Sequence, residues 1–275
     1  MKVRVNAKIN LTLDVVGSFG EGYHKLDMIM ASVGIFDFVE VNPADKITVF
    51  MDMRESDENN IAYKVAKICN EKYGVPPLRI DIIKGIPFCG GLGGSSADAS
   101  AVLYCVQKMF GLADDIVKDI AAKVGSDVNF ILQGGLCRAC GKGDNLEKLP
   151  FKEYSLVVVK GKSTASTKEV FDKFDEVGKI TDYTKQFLAN TANNNELQFI
   201  GNGMQMAAQT LCEDMGRVIS TLNKYSHYVC MSGSGACVFA VMKNMSDANL
   251  LADKLKNNFP FVKACTTLPY GIKEM

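Results

Sequence analysis

The sequence predicts a fold that mixes strands and helices, and three observations support this prediction. Apolar and polar residues alternate between residues 3 and 16, the period of two that a strand shows. A second alternating segment, residues 78–83, is followed by a glycine-rich loop and then by an apolar helical face. Helical and strand-like segments continue to the end of the chain. The length of 275 residues fits two modest domains or one large domain.

The periodicity of the apolar residues and the residues that end helices predict the strands and helices along the chain. The segments that we expect to be strands or extended chain are 3–16, 26–41, 47–53, 78–83, 154–159, 236–242 and about 262–267. The segments that we expect to be helices are 60–73, 99–110, 114–124, about 204–222 and 248–259. We expect turns at 17–22, short apolar runs and turns over 134–149, and irregular polar structure over 161–195. A domain hinge is predicted near residues 150–165.

The bulk composition is that of a soluble enzyme and argues against several kinds of partner. Lys plus Arg and Asp plus Glu number 31 each, so no basic excess indicates nucleic acid or an anionic membrane surface. No apolar run reaches the length of a membrane span, and the first strand begins almost at Met1, which leaves no room for a leader peptide. Nine scattered cysteines without a secretion signal indicate reduced thiols and a cytoplasmic location.

The most informative segment is the glycine-rich loop within residues 84–99. Its four glycines within five positions let a ligand approach the backbone with no Cβ in the way. Ser95 or Ser96 can cap the helix that follows, whose N-terminus favours an anion. The spacing fits neither a Walker A loop nor a dinucleotide fingerprint, because Leu156 and Ser96 stand where those motifs need glycine. The segment is therefore an atypical phosphate cradle or a glycine-rich turn without a ligand.

Two further motifs carry charged side chains. Lys8 and Asn10 lie on the same side of the first strand, which suits an anionic or nucleotide substrate; the alternative is a lysine that faces solvent on an edge strand. Asp127 follows a glycine break between apolar stretches. It is either a general base or metal-associated carboxylate, or the cap of a short helix.

Three weaker motifs complete the set. Residues 232–235, Ser-Gly-Ser-Gly, precede a buried strand and either approach a ligand or form a tight loop. Tyr23 and His24 can stack on a base and hydrogen-bond to it, although a lone histidine in a turn is more often structural. Cys137 and Cys140 have CxxC spacing without a second pair, which favours two thiols on a buried strand over a zinc or redox site.

Taken in order over nearly the whole chain, these motifs resemble the superfamily of galactokinase, homoserine kinase, mevalonate kinase and phosphomevalonate kinase, the GHMP kinases. The glycine loop and the Ser-Gly-Ser-Gly turn select the superfamily. The opening at residues 7–11 and the Gly-Tyr-His turn resemble its members that act on a cytidine diphosphate-linked methylerythritol. The resemblance implies an α+β fold with an atypical phosphate loop in a nucleotide-binding domain (1–153), a smaller α/β domain (154–275), and an active site between them.

The resemblance also implies an activity, the ATP-dependent phosphorylation of the substrate's 2-hydroxyl in the non-mevalonate pathway to isoprenoid and terpenoid precursors. In this interpretation Asp127 takes or orients the hydroxyl proton and Lys8 offsets developing negative charge. The partner is then a small molecule, and the chain is a monomer or homodimer. The alternatives are a kinase of the homoserine or mevalonate type and a nucleotide-binding relative without catalysis. Tyr23 and His24 favour a substrate that contains a base, and the presence of Lys8 and Asp127 favours catalysis.

Binding residues are carried over from the resemblance in the same way. It places around the ATP phosphates Pro87, Phe88, Cys89, Gly90, Gly91, Leu92, Gly93, Gly94, Ser95 and Ser96. It places Asn60 and Lys84 nearer the adenine. It assigns to the substrate Asn10, Tyr23, His24 and Thr167. Mg²⁺ is expected mostly through the phosphates, with Ser96 as a candidate ligand. The chain departs from the family's pattern at Ser95, Ala97 and Asn129, and at residues 194–197, where the family has Asn-Asp-Leu-Glu.

Overall fold

The computed structural model describes the whole chain except Glu21, Gly22 and the side chain of Tyr23. The strands are β1 (Lys2–Gly20), β2 (Tyr23–Pro43), β3 (Thr48–Met51), β4 (Arg54–Glu55), β5 (Leu78–Ile83), β6 (Leu136–Gly141), β7 (Asn145–Lys148), β8 (Ser155–Lys160), β9 (Gly201–Asn202), β10 (Val229–Met231), β11 (Cys237–Met242), β12 (Phe261–Leu268) and β13 (Ile272–Glu274). The helices are α1 (Ile61–Tyr73), α2 (Gly94–Phe110), α3 (Asp114–Val124), α4 (Val128–Gln133), α5 (Thr167–Val177), α6 (Tyr183–Asn190), α7 (Gln205–Leu211), α8 (Met215–Leu222) and α9 (Met245–Leu255). This mixture agrees with the predicted α+β class.

The antiparallel pair β1 and β2 forms the centre of the fold. Val3 lies opposite Val39 and Val15 lies opposite Leu26, so the two strands pair along nearly their whole length. β1 also pairs with β9 in parallel and with β13 in the antiparallel sense, while β2 also pairs with β5, β6 and β12. Both faces of β1 are covered, and the strand is buried almost continuously from residue 5 to residue 15.

Strands from the C-terminal half extend this arrangement. β8 lies between β11 and β12, and β10 forms the edge beside β11. The end of β12 reaches β2, where Thr267 and Leu268 lie opposite Val33 and Ser32. Hydrogen-bonded strands therefore connect the two predicted domains, 1–153 and 154–275. The boundary between residues 153 and 154 stays a prediction.

Several predicted elements differ from the structure. Residues 17–20 continue β1 instead of forming a turn, because they still pair with the start of β2; the rest of the predicted turn, Glu21 and Gly22, lies outside the described residues. The segment 161–195 is not irregular, since it contains α5 and α6. The single helix predicted over 204–222 is two helices, interrupted near Asp214, whose carboxylate accepts bonds from the backbone N–H groups of residues 162 and 163.

Sparse apolar faces explain why α5 and α6 are not predicted from the sequence. α5 buries only Val170 and Phe174, and α6 buries only Thr184 and Phe187. Such short faces give a weak periodic pattern in a polar sequence. In the part of the chain that the structure describes, no helix is both long and apolar enough to cross a bilayer.

Candidate active site

The glycine loop begins at a turn that three carboxylates hold in place. Asp37, on β2, accepts hydrogen bonds from the N–H groups of Gly85 and Ile86 at 2.6 and 2.8 Å. Asp52 accepts a bond from the N–H of Lys84 at 3.0 Å. The Nζ of Lys84 lies 2.5 Å from an Asp37 oxygen and 2.6 Å from an Asp98 oxygen, and all three side chains are buried. The loop therefore leaves β5 from a fixed anchor.

The pKa values of Asp98 and Lys84 are shifted by their burial and by their charged neighbours. Burial raises the pKa of Asp98 well above its ordinary value, although Lys84 opposes this, and the neighbouring Asp37 carboxylate adds to the rise. Burial acting alone would lower the pKa of Lys84, but the Asp98 and Asp37 carboxylates raise it. The Oδ1 atom of Asp98 has no hydrogen-bond partner among the described residues. Two buried carboxyls thus share one ammonium group.

The loop turns by means of glycines in the left-handed backbone region. Gly91 has a φ of +69°, and a Cβ there would lie 2.0 Å from the carbonyl oxygen of Ser232. Gly93, at +73°, is the N-terminal cap residue of α2, which begins at Gly94; in the described structure no side chain caps this helix. The predicted serine cap is therefore wrong, because Ser95 and Ser96 already lie in the first turn. The N–H groups of that turn have no acceptor within the helix and favour an anion.

Lys8, Asn10 and Asp127 meet beside this loop. The Nζ of Lys8 donates to the Asn10 side-chain oxygen at 2.8 Å and lies 3.5 Å from a carboxylate oxygen of Asp127. Lys8 is only 5% exposed, so the alternative of a lysine that faces solvent is wrong. Asp127 directly precedes α4, yet within the described chain its side chain makes no capping bond. A Cβ at Gly93 would lie 3.5 Å from the same carboxylate, which brings the base candidate to the start of α2.

The Ser-Gly-Ser-Gly turn packs directly on the glycine loop. The Ser232 hydroxyl donates to the carbonyl of Gly91 at 2.9 Å and accepts from the N–H of Asn10 at 3.3 Å. Two backbone bonds of 3.2 and 3.1 Å connect residues 236–237 to the carbonyls of residues 89–90. The loop of one half of the chain is therefore held by a turn of the other half.

One cavity of about 370 Å³ joins these groups. Its lining includes Lys8, Asn10, residues 86–96, Ser126, Asp127, Lys142, Thr167, Phe171, Met204 and residues 233–235. Lys84 also contributes, and Thr167 is hydrogen-bonded to Ser234 through their hydroxyls at 3.0 Å. A carboxylate, an ammonium group and a helix N-terminus around one cavity are the parts that a phosphoryl transfer from a nucleotide to an alcohol needs.

Comparison with known proteins decides the family. Residues 60–135 match the GHMP kinases N terminal domain, and residues 185–260 match the GHMP kinases C terminal domain. The chain is 34% identical to the 4-diphosphocytidyl-2-C-methyl-D-erythritol kinase of Clostridium beijerinckii over 98% of this chain and 100% of that protein. It is 30% identical to the protein of that name from Thermoanaerobacter pseudethanolicus over 99% and 98% of the two chains. The chain belongs to the GHMP kinases, in the family of 4-diphosphocytidyl-2-C-methyl-D-erythritol kinases.

Solved structures agree with this assignment. A crystal structure of 4-(cytidine 5'-diphospho)-2C-methyl-D-erythritol kinase superposes with a TM-score of 0.83 at 26% identity, over 97% of this chain and 99% of that one. The L. major mevalonate kinase, solved with R-mevalonate, has a TM-score of 0.73 at 18% identity over 98% and 96% of the chains, which shows the shared GHMP kinase fold alone.

The predicted aromatic pair is only partly described in this GHMP kinase. The side chain of Tyr23 lies outside the described residues. The His24 ring stacks on Phe171 with a centroid distance of 4.6 Å and an interplanar angle of 13°, and its Nε2 lies 2.7 Å from an Asp175 oxygen. Phe171 lines the cavity. Phe171 and Asp175 are not predicted as site residues from the sequence, because they lie in α5, within the segment that is expected to be irregular.

Asn60 and Lys84 line different cavities. Asn60 is the N-terminal cap of α1, where its Oδ1 accepts from the N–H of Ala62 at 2.9 Å and its Nδ2 donates to the Ser56 hydroxyl at 3.0 Å. It lines a second cavity of about 710 Å³, which shares Phe88 and Ser95 with the first. Lys84 lines the first cavity while its ammonium is paired with the two buried carboxylates.

The structure bears on two departures from the family pattern. The family's Asn-Asp-Leu-Glu precedes the C-terminal helices, and we match it to residues 194–197. In the structure, however, the residues directly before α7 are 202–204, and one of them, Met204, lines the cavity. The amide of Asn129 donates weakly to the Lys118 carbonyl at 3.5 Å. Lys142 also lines the cavity, from the turn between β6 and β7, and it is not predicted from the sequence because no motif marks it.

The residues present fit a magnesium ion held mainly by nucleotide phosphates. Within the described chain, no group of three or more His, Cys, Asp or Glu side chains could hold a metal ion by itself. Ser96 and Asp127, however, both line the cavity near the start of α2 and offer the oxygen ligands that Mg²⁺ prefers.

Proposed function

We propose that this GHMP kinase transfers the γ-phosphoryl group of ATP to the 2-hydroxyl of 4-diphosphocytidyl-2-C-methyl-D-erythritol. The observation that carries the proposal is the meeting of the Asp127 carboxylate, the Lys8 ammonium at 3.5 Å and the N-terminus of α2 at one cavity. Full-length relatives that carry the name of this kinase support the choice of substrate.

The glycine loop and the first turn of α2 would bind the triphosphate. Their glycines expose backbone N–H groups, and the helix dipole favours negative charge at this end. Mg²⁺, bound to the phosphates with Ser96 as a candidate ligand, would neutralise part of the charge on the transferred group. We therefore assign Pro87 to Ser96 to the nucleotide.

Asp127 would accept the proton of the substrate hydroxyl as its oxygen attacks the γ-phosphorus. The new O–P bond forms while the bond between the γ-phosphorus and the β,γ-bridging oxygen breaks, and ADP leaves with that electron pair. Lys8 would offset the charge that develops on the attacking oxygen and the phosphoryl group, and Asn10 fixes its ammonium through the 2.8 Å bond. A positioned general base contributes about 10²–10⁴-fold to such a step.

The cytosine would bind at the edge of the cavity where Phe171 and His24 stack on each other. The two rings are nearly parallel, with their centroids 4.6 Å apart, and a base can stack on this pair. We assign Tyr23 and His24 to the base, Thr167 to the polar tail of the substrate, and Asn10 to the substrate as a whole. Asn60 borders a cavity large enough for an adenine; for Lys84 the ion pairs support a role in fixing the loop, and contact with the adenine stays a prediction.

A coupled ADP-release assay with the purified protein tests the proposal. We expect Mg²⁺-dependent ADP release with the cytidylyl substrate and none above background with homoserine or mevalonate. Release with homoserine or mevalonate alone would replace the substrate assignment. ADP binding without release on any alcohol would indicate a relative without catalysis. A cytoplasmic location and a monomeric or homodimeric state complete the proposal.

A further inference from the structure

The side chain of Asn202, in β9, connects the Ser-Gly-Ser-Gly turn and the residue before it to the residue before α7. Its Nδ2 donates to the carbonyls of Met231 and Gly233 at 3.0 and 2.7 Å, and its Oδ1 accepts from the N–H of Met204 at 2.9 Å. The residue is 7% exposed. Gln205 adds a further bond, because its side-chain oxygen accepts from the N–H of Met231 at 2.9 Å. The N–H of Met231 is thereby fixed to the start of α7, and its carbonyl is fixed to β9.

The Ser-Gly-Ser-Gly turn lies close both to the glycine loop and to Lys8. A Cβ at Gly233 would lie 2.9 Å from the carbonyl oxygen of Gly91 and 3.2 Å from the Nζ of Lys8. The neighbouring contact, from the Ser232 hydroxyl to the Gly91 carbonyl, is a hydrogen bond of 2.9 Å. The position of Gly233 therefore limits where the glycine loop and the ammonium of Lys8 can lie.

β9 connects the same residue to the strand that carries Lys8. Thr12 pairs with Gly201 and Leu13 pairs with Asn202 in the parallel ladder between β1 and β9. Asn202 thus lies at a junction of three parts, namely β1, α7 and the turn. Replacing Asn202 can therefore displace the parts that bind the substrate, even though the Asn202 side chain itself need not touch it.

We propose that Asn202 is a positioning residue for phosphoryl transfer. By binding two carbonyls of the segment that forms the Ser-Gly-Ser-Gly turn, it sets the distance between that turn and the glycine loop, and it keeps Lys8 beside Asp127. The inference rests on the proposed function in one respect, that the glycine loop binds the phosphates of a nucleotide. Because reacting groups must be held in a narrow range of geometry, a displacement of about 1 Å in the loop can cost about 10²-fold in rate.

The test compares Asn202→Asp with the matched control Asn6→Asp in the full-length protein. The substitution at residue 202 keeps the size of the side chain and the acceptor for the Met204 N–H, but it removes both donors and sets a carboxylate oxygen against two carbonyls. Asn6 is also buried and donates one bond to the Tyr270 carbonyl at 2.9 Å, outside the cavity lining. ADP affinity is measured by calorimetric titration without an alcohol substrate, and the Michaelis constants and kcat are measured with it.

We expect Asn202→Asp to weaken ADP binding and to raise the KM for ATP by about tenfold or more, and to lower kcat by about 10–100-fold. The KM for the alcohol should change less. Asn6→Asp should leave ADP affinity and both Michaelis constants within about twofold, even if it lowers the melting temperature. A folded Asn202→Asp protein with unchanged ADP affinity and unchanged KM for ATP would overturn the proposal and leave Asn202 a purely structural residue.

A second variant keeps the test decisive if Asn202→Asp does not fold. Gln205→Leu removes only the bond to the Met231 N–H, at a position that is partly exposed. It should raise the KM for ATP in the same direction by a smaller factor, and no change in that constant would count against the proposal. If the wild type binds ADP but does not phosphorylate the cytidylyl substrate, the substrate assignment fails while the ADP titrations still test the positioning role.

Discussion

The polar face of β1 is buried along most of its length. Asn6, Lys8, Asn10, Thr12 and Asp14 are each at most 5% exposed. Each finds a polar partner from elsewhere in the chain or from its own face, because an unpaired polar group at this depth would cost free energy. Lys8 is paired with Asn10 and Asp127, whereas Asp14 accepts bonds from the N–H groups at the start of α6. One strand thus supplies polar groups to the candidate site and to the packing of the fold.

At the candidate catalytic carboxylate we predict that Asp127→Asn lowers kcat by about 10²–10⁴-fold, because an amide cannot accept the hydroxyl proton. ADP affinity should change by less than about threefold, since the loop and α2 bind the phosphates. Steady-state kinetics and ADP titration measure the two effects. The control Asp119→Asn makes the same charge change in an exposed pair with Lys123 and should leave kcat unchanged. A kcat near that of the wild type in Asp127→Asn would remove the assigned role.

At the buried anchor we predict a change in pH dependence for Asp98→Asn. The pKa of Asp98 is raised in the folded chain above its value near 3.8 in the unfolded chain, so the folded chain holds this proton more tightly. The free energy of unfolding therefore falls as the pH rises from about 4 through the pKa of the folded chain. Asparagine does not titrate, so the variant should lose this slope, at most about 1.4 kcal/mol per pH unit for one proton.

Urea unfolding at several pH values between about 5 and 8 measures this slope. Asp119→Asn again serves as the control, because its carboxylate is about half exposed. Parallel pH profiles for Asp98→Asn and the wild type would contradict the prediction.

At the scale of elements, the glycine loop depends on one close approach between two turns. We predict that Gly91→Ala raises the KM for ATP by about tenfold or more, because its Cβ would lie 2.0 Å from the Ser232 oxygen and push the turns apart. Gly111→Ala is a matched control: its φ of +71° is nearly the same as that of Gly91, yet a Cβ there meets no atom of the described residues within 4 Å.

Both variants bear the strain of a left-handed alanine, which is about 1–2 kcal/mol per residue. Kinetics in ATP and a thermal melt separate this shared loss of stability from the effect on the loop. Gly111→Ala should lose stability without a change in the KM for ATP. If both variants raised the KM for ATP equally, strain rather than contact would be the cause.

The elements with strong sequence patterns are predicted correctly, and those with weak patterns are not. The alternating strand at residues 3–16 and the helix at 114–124 appear as β1 and α3, because their apolar positions recur over many residues. α5 is fixed instead by a capping box between Ser166 and Glu169 and by the tertiary contacts of two buried residues. Its cap is visible in the sequence, but its short apolar face is not.

At the scale of the whole molecule, the two halves share hydrogen-bonded strands. β9, β12 and β13 come from the C-terminal part and pair with β1 or β2. We therefore predict that the two proposed domains unfold together, in one transition. Calorimetry measures this, because the calorimetric and van't Hoff enthalpies agree only when no intermediate is populated. Two separate transitions, of which only one shifts on addition of ADP, would show instead that the halves are independent.

Residue types and their spacing are enough to predict the features of this protein that depend on local chemistry. The glycine loop, the alternation of β1, the motif residues Lys8 and Asp127, and with them the GHMP kinase family, can all be recognised in the chain before it is folded. Which of these groups meet is known only from the folded molecule. The contact of Lys8 with Asp127, the docking of Ser232 on Gly91 and the stacking of His24 on Phe171 join residues that lie far apart in the chain. Such pairs leave no periodic signal in one chain, because their proximity arises from the packing of strands and helices rather than from neighbours in sequence.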